Sequence, residues 1–103
     1  MAESSPVRVL CIYRVKDGKE SEFRPLLEKH WPTLNGIGLV TSEPAQWFIS
    51  RDKNKRQCFV EIFEWKDQSA PQTAHELPEV MAVWEPMGEL VDDMEFLDLE
   101  SLG

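Results

Sequence analysis

The chain has 103 residues, 42% of them apolar, and its 11 Lys and Arg against 19 Asp and Glu give a formal charge of −8. That length makes one domain, which buries about two-thirds of its unfolded surface on folding. So negative a small surface repels phosphate backbones and anionic lipid headgroups, and the densest basic stretch is only Arg51 to Arg56, so neither nucleic acid nor membrane is expected as a partner.

The start carries no basic segment followed by an apolar one, and no apolar run approaches the roughly 20 residues of a membrane span, so a cytoplasmic protein is expected. Residues 1–6 read as a flexible N-terminus, 7–100 as a single domain and 101–103 as a tail. Val7 to Val15 is rich in β-branched and aromatic residues and stops at the turn chemistry of Lys16-Asp-Gly-Lys19, which predicts a first strand. From Lys19 the period changes. Phe23, Leu26, Leu27, His30, Trp31 and Leu34 fall on one helical face opposite Glu20, Glu22, Arg24, Glu28 and Lys29. This predicts a helix over 19–34 that Pro25 tolerates, that Pro32 kinks or ends, and that Asn35 to Gly38 stops.

Leu39 to Thr41 and Gln46 to Ser50 are strand-like pieces interrupted near Pro44, which suits a bulged or edge strand. Arg51 to Arg56 reads as a polar hairpin connection, and Gln57 to Trp65 as the strongest strand of the chain. Beyond Lys66, the residues Ala74, Leu77, Val80, Met81, Trp84, Met87 and Val91 recur at helical spacing. Pro78 and Pro86 should divide this stretch into two or three pieces, and Met94 to Glu100 reads as a closing strand. The acidic stretch Glu85 to Glu100 reads as a solvated surface without metal-ligand spacing. Cys11 and Cys58 stand alone inside strand-like runs, which predicts two reduced, buried thiols and neither a zinc site nor a disulfide.

The order βαββαβ is an α+β, ferredoxin-like arrangement with a four-stranded antiparallel sheet. Its strands are apolar on both faces: Val9, Cys11 and Tyr13 against Leu10 and Ile12, and Val60 and Ile62 against Phe59 and Phe63. Two helices cover one face only. The other is expected to meet the sheet of an identical chain, giving a homodimer.

Several residues stand out as chemistry-bearing. His30 falls within the apolar stripe of the first helix, where an imidazole must find a partner or line a cavity. Tyr13, the only tyrosine, shares the apolar parity of the first strand, either on a pocket floor or on the dimer face. Trp47 and Trp84 are candidates to line an aromatic-binding cavity, whereas Trp31 and Trp65 read as core fillers. Glu61 shares a face with Phe59 and Phe63, so it needs either a partner such as Arg8 or Arg14 or a place in a binding site.

The run from Val9 to Gly18, Gly38-Leu39-Val40-Thr41, the Phe-Val-Glu-Ile-Phe-Glu-Trp65 strand, and Ala74-His75 followed by Pro78-Glu-Val resemble the antibiotic biosynthesis monooxygenase type of dimeric α/β barrel over residues 7–98. The resemblance implies a pocket between sheet and helices and points to His75 as a catalytic group; His30, from its place in the apolar stripe, is the second candidate. The haem-degrading branch carries an Asn where Cys11 stands and a His where Trp84 stands. An indole N–H only donates, so Trp84 cannot be an axial ligand and no haem is expected. The function implied is a small-molecule-binding homodimer, a cofactor-independent monooxygenase of an aromatic or quinol-like compound in which His75 or His30 is the base and Tyr13, Trp47, Trp84 and Glu61 contact the substrate. The alternative is a non-catalytic ligand-binding or stress-associated protein of the same fold.

Overall fold

A computed structural model describes residues 5–51 and 58–102. The elements in chain order are β1 (Val7–Val15), α1 (Glu20–Gly36), β2 (Gln46–Ser50), β3 (Cys58–Trp65), α2 (Ala70–His75), α3 (Pro78–Glu89) and β4 (Val91–Leu99). The strands form one antiparallel sheet in the order β2-β3-β1-β4, with the helices packed on one face. This is the ferredoxin-like arrangement, with α2 and α3 together in the place of its second helix. Among the described residues, no helix is long and apolar enough to cross a membrane.

β1 has the expected bounds, and β2 is an edge strand. Leu39 to Thr41 does not become a strand. It is held to the end of β3 by the Val40–Trp65 bridge and by Lys66 N–H donating to the Leu39 carbonyl at 2.9 Å. α1 departs from expectation by running through Pro32 to Gly36. Pro32 lies on the exposed side, so the Glu28 carbonyl that it leaves without an N–H partner faces water. Gly38, at φ +75°, then turns the chain, with Leu39 N–H donating to the Leu34 carbonyl at 3.0 Å. The second helical stretch is two pieces. Pro78 opens α3 in a position where a missing N–H costs nothing, and Pro86 does not interrupt it. β4 starts at Val91, three residues ahead of the expected Met94. The proposed hairpin connection falls outside the described residues from Asp52 onward, as do Gln57, the first four residues and Gly103.

The register settles which side chains meet. Val9, Cys11, Tyr13 and Val15 of β1 lie beneath the helices with Phe59, Glu61, Phe63 and Trp65 of β3, and all are buried. Tyr13 therefore belongs to the helix-covered face and not to the outer one. The outer face carries Leu10, Ile12, Val60 and Ile62, with Phe48, Leu97 and Leu99 exposed beside them. Arg8 and Arg14 are on this outer face, where Arg8 meets Glu64 at 3.6 Å and Arg14 meets Asp93 at 2.9 Å and Glu95 at 2.6 Å.

Candidate functional site

Glu61 is the organising residue. It occupies the middle of β3 opposite Cys11, on the helix-covered face, with none of its surface exposed. A carboxylate in such a place is tolerated only when its oxygens are filled by donors. Three side chains fill them. Tyr13 Oη donates to Glu61 Oε1 at 2.7 Å, His30 Nδ1 lies 2.8 Å from the same oxygen, and Trp47 Nε1 donates to Oε2 at 2.9 Å. The cross-strand arginine considered as its partner is excluded by register, because Arg8 and Arg14 project from the opposite face of the sheet.

His30 comes from the apolar stripe of α1 and is 3% exposed. Its second nitrogen, Nε2, is 2.7 Å from Trp84 Nε1. An indole nitrogen only donates, so Nε2 accepts, and the ring hydrogen is assigned to Nδ1, where it points at Glu61. The bonds thus run in one direction, from the Trp84 N–H through the His30 ring to the Glu61 carboxylate. Phe63 stands edge-on to the imidazole at 5.5 Å between ring centroids.

Beside this chain of bonds is a cavity of about 380 Å³ whose wall includes Tyr13, His30, Phe63, His75, Trp84 and Phe96. Its volume falls within the range of small-molecule sites. Apolar side chains dominate the wall, and the carboxylates of Glu85 and Asp98 are exposed at its rim with Phe96, which is 57% exposed. His75 ends α2 at the exposed side, and its ring packs edge-on against Trp84 at 4.7 Å. Trp84 therefore touches both histidines, by a hydrogen bond on one side and a ring contact on the other.

All six residues singled out from the sequence are thus joined, directly or through Trp84, but only Tyr13, His30, His75 and Trp84 line the cavity, and Glu61, expected to contact a substrate, is buried behind its wall. Trp47 comes from elsewhere. It is 41% exposed on the edge strand and lies in a shallow groove with Arg24, Leu27 and Phe48, so it reaches Glu61 without lining the cavity. Sequence reasoning missed Cys11, which is on the cavity wall, and the β4 residues Met94, Phe96 and Asp98. The signal for the last three was their shared parity within what read as an acidic surface stretch. Burial, reinforced by the charge of Glu61, pushes the Cys11 thiol and the Tyr13 hydroxyl well above their ordinary ranges, so both stay protonated and neither serves as an anionic nucleophile. Among the described residues, no group of three or more His, Cys, Asp or Glu side chains is placed to hold a metal ion.

No protein-family profile matches the sequence, and no curated protein does. Solved structures do match, at low identity and nearly full length. A cofactor-independent oxygenase, SnoaB from Streptomyces nogalater, is 15% identical over 97% of this chain and 96% of its own, with a TM-score of 0.71. A putative antibiotic biosynthesis monooxygenase from Bacteroides thetaiotaomicron is 13% identical over 95% and 90%, with a TM-score of 0.72. A conserved protein from Methanosarcina mazei is 15% identical over 95% and 94%, with a TM-score of 0.71. The chain has the fold of antibiotic biosynthesis monooxygenase-like proteins.

Proposed function

We propose that the chain works as a cytoplasmic homodimer that binds a small apolar or aromatic molecule in the cavity and oxygenates it without a cofactor, His30 being the base. The observation that carries this is the Glu61–His30 pair, of which His30 lines a mainly apolar cavity wall with its Nε2 turned to Trp84, another lining residue. A proton drawn from the substrate would arrive at Nε2, and the Glu61 carboxylate at 2.8 Å from Nδ1 would stabilise the resulting imidazolium. The substrate carbanion would add molecular oxygen to form a C–O bond, and the peroxide, protonated by the His30 imidazolium, would lose the remaining hydrogen of that carbon as its O–O bond breaks, leaving a carbonyl and water. The mainly apolar wall favours this by limiting solvent around the anion. His75, at the rim, supports binding from the open side. The apolar outer face of the sheet supports the dimer, since among the described residues no element packs over Leu10, Ile12, Val60 and Ile62 and a second sheet would.

Oxygen consumption with a panel of substituted hydroquinones tests the proposal. Uptake by the wild type, lost in His30→Ala and reduced in His75→Ala, is the expected result. No uptake by the wild type, or equal uptake by the double variant, refutes oxygenation. One observation favours a second reading, a ligand-binding protein without chemistry: the Trp84 N–H already occupies the lone pair that a base would use. Tight binding of an aromatic ligand with no oxygen uptake is the outcome that selects it.

A further inference from the structure

We propose that Trp84 is an exchangeable placeholder on His30, and that the site selects ligands carrying a hydrogen-bond donor able to take over its bond. The inference rests on the cavity being a ligand site, and it adds the rule by which that site chooses. Every polar side-chain atom along the chain of bonds is already matched. Tyr13 donates to Glu61, both Glu61 oxygens accept, His30 uses Nδ1 toward Glu61 and Nε2 toward Trp84, and Trp84 has a single N–H to give. A ligand oxygen entering the cavity finds no unused donor along this chain of bonds, and the wall's other imidazole, His75, sits apart from it at the exposed rim. A carboxylate ligand fares worse, since it meets the carboxylates of Glu85 and Asp98 at the rim.

Only one exchange keeps the bonds balanced. If the Trp84 indole swings away from His30, Nε2 becomes a buried acceptor without a partner, a state that costs free energy unless another N–H or O–H arrives. A neutral ring bearing a hydroxyl or an N–H replaces the lost donor one for one. Trp84 is suited to moving, because it is only half-buried and its other ring contact is with the exposed His75. His30 is not, being 3% exposed and held by Glu61. The swing therefore belongs to the indole, and it delivers ligand and base to each other in one step.

The test compares 1-naphthol with 1-methoxynaphthalene, which has a similar shape but no donor. Calorimetric titration of the wild type is expected to show naphthol binding at least about tenfold more tightly, because the ether could take the indole's place only by leaving Nε2 unpaired, a cost of that scale. In nitrogen-15 spectra, the Trp84 indole N–H signal should move on saturation with naphthol and not with the methyl ether. Trp84→Phe should bind naphthol several-fold more tightly than the wild type, because nothing must be displaced, and the methyl ether no more tightly. Equal affinities with an unmoved Trp84 signal would overturn the placeholder while leaving the cavity as a ligand site. Failure of both naphthalenes to bind would overturn it together with the ligand-site proposal. The spectroscopic comparison uses the wild type alone, so it decides the matter even if the variant folds poorly.

Discussion

Glu61→Gln preserves the shape of the side chain and removes one acceptor oxygen, which makes it the sharpest test of the buried hydrogen-bond network. Three donors converge on the carboxylate. A glutamine can keep its carbonyl oxygen toward Tyr13 and His30, and its amide hydrogens then face the Trp47 N–H, donor against donor. The two surviving bonds fall from charge-assisted to neutral strength, about 1 kcal/mol each, and the third, at about 2 kcal/mol, is lost. Burying a neutral amide is easier than burying a carboxylate, and this returns part of the loss. The expected net destabilisation is about 2–3 kcal/mol, roughly 10–20 °C in Tm for a domain of this size. Trp47→Phe alone should cost about 2 kcal/mol, because it leaves Oε2 of the fully buried carboxylate without its donor. In the Glu61→Gln background the same change should cost nothing or restore stability, since it removes the opposed donor. Urea unfolding at one fixed protein concentration, followed by circular dichroism, measures all four forms of the cycle. Stability of Glu61→Gln within about 0.5 kcal/mol of the wild type, or simple additivity with Trp47→Phe, would refute the three-donor arrangement, that half-unit being about the limit to which independent sites add.

Three further outcomes follow from the geometry. Folded-state values above the ordinary 9.0 for the Cys11 thiol and 10.0 for the Tyr13 hydroxyl mean that stability is complete below pH 9 and falls as the unfolded thiol and then the unfolded phenol ionise. Each group adds a slope of about 1.4 kcal/mol per pH unit. Urea midpoints between pH 8 and 10.5 should decline more steeply past pH 10, and Cys11→Ala should lose the part that begins near pH 9; a flat profile would contradict the burial of both groups. Ile62→Lys puts a charge in the middle of the outer sheet face and should convert a dimer into a monomer in light scattering, whereas a wild-type monomer at micromolar concentration would remove the dimer proposal. Gly38→Ala forces a side chain into φ +75° and should destabilise by about 1 kcal/mol, visible as a lower Tm.

Much of this was legible in the chain because helical and strand periods differ. The stripe that contains Leu27, His30 and Leu34 announced a buried imidazole, and alternation in β3 announced a carboxylate on the same side as Phe59 and Phe63. What the alternation lacked was a link between strands. Parity places Tyr13 with Cys11, and Glu61 with Phe59, but only the pairing of Cys11 opposite Glu61 shows that these sets share a face, and that Arg8 and Arg14 belong to the other. A buried acceptor on one element and a buried donor on another were the available sign that they meet. The prolines misled for a related reason: Pro32 and Pro86 break a helix only where the freed carbonyl is denied other partners, and sequence does not show which side of a helix is wet. Trp47 could not be placed, since its role depends on which face of an edge strand crosses Glu61.

The sheet order places β1 between β3 and β4, so the first strand of the chain has the last one as a neighbour. Val9 and Cys11 on one side of the cavity and Met94 and Phe96 on the other are separated by more than eighty residues and meet only in the finished sheet. During synthesis the central strand must therefore wait, one edge unpaired, until β4 has left the ribosome. Long-range pairing of this kind slows folding and exposes strand edges to other chains in the interval. The cavity is completed only when Met94, Phe96 and Asp98 of β4 arrive, and a shortened chain ending before β4 lacks that wall.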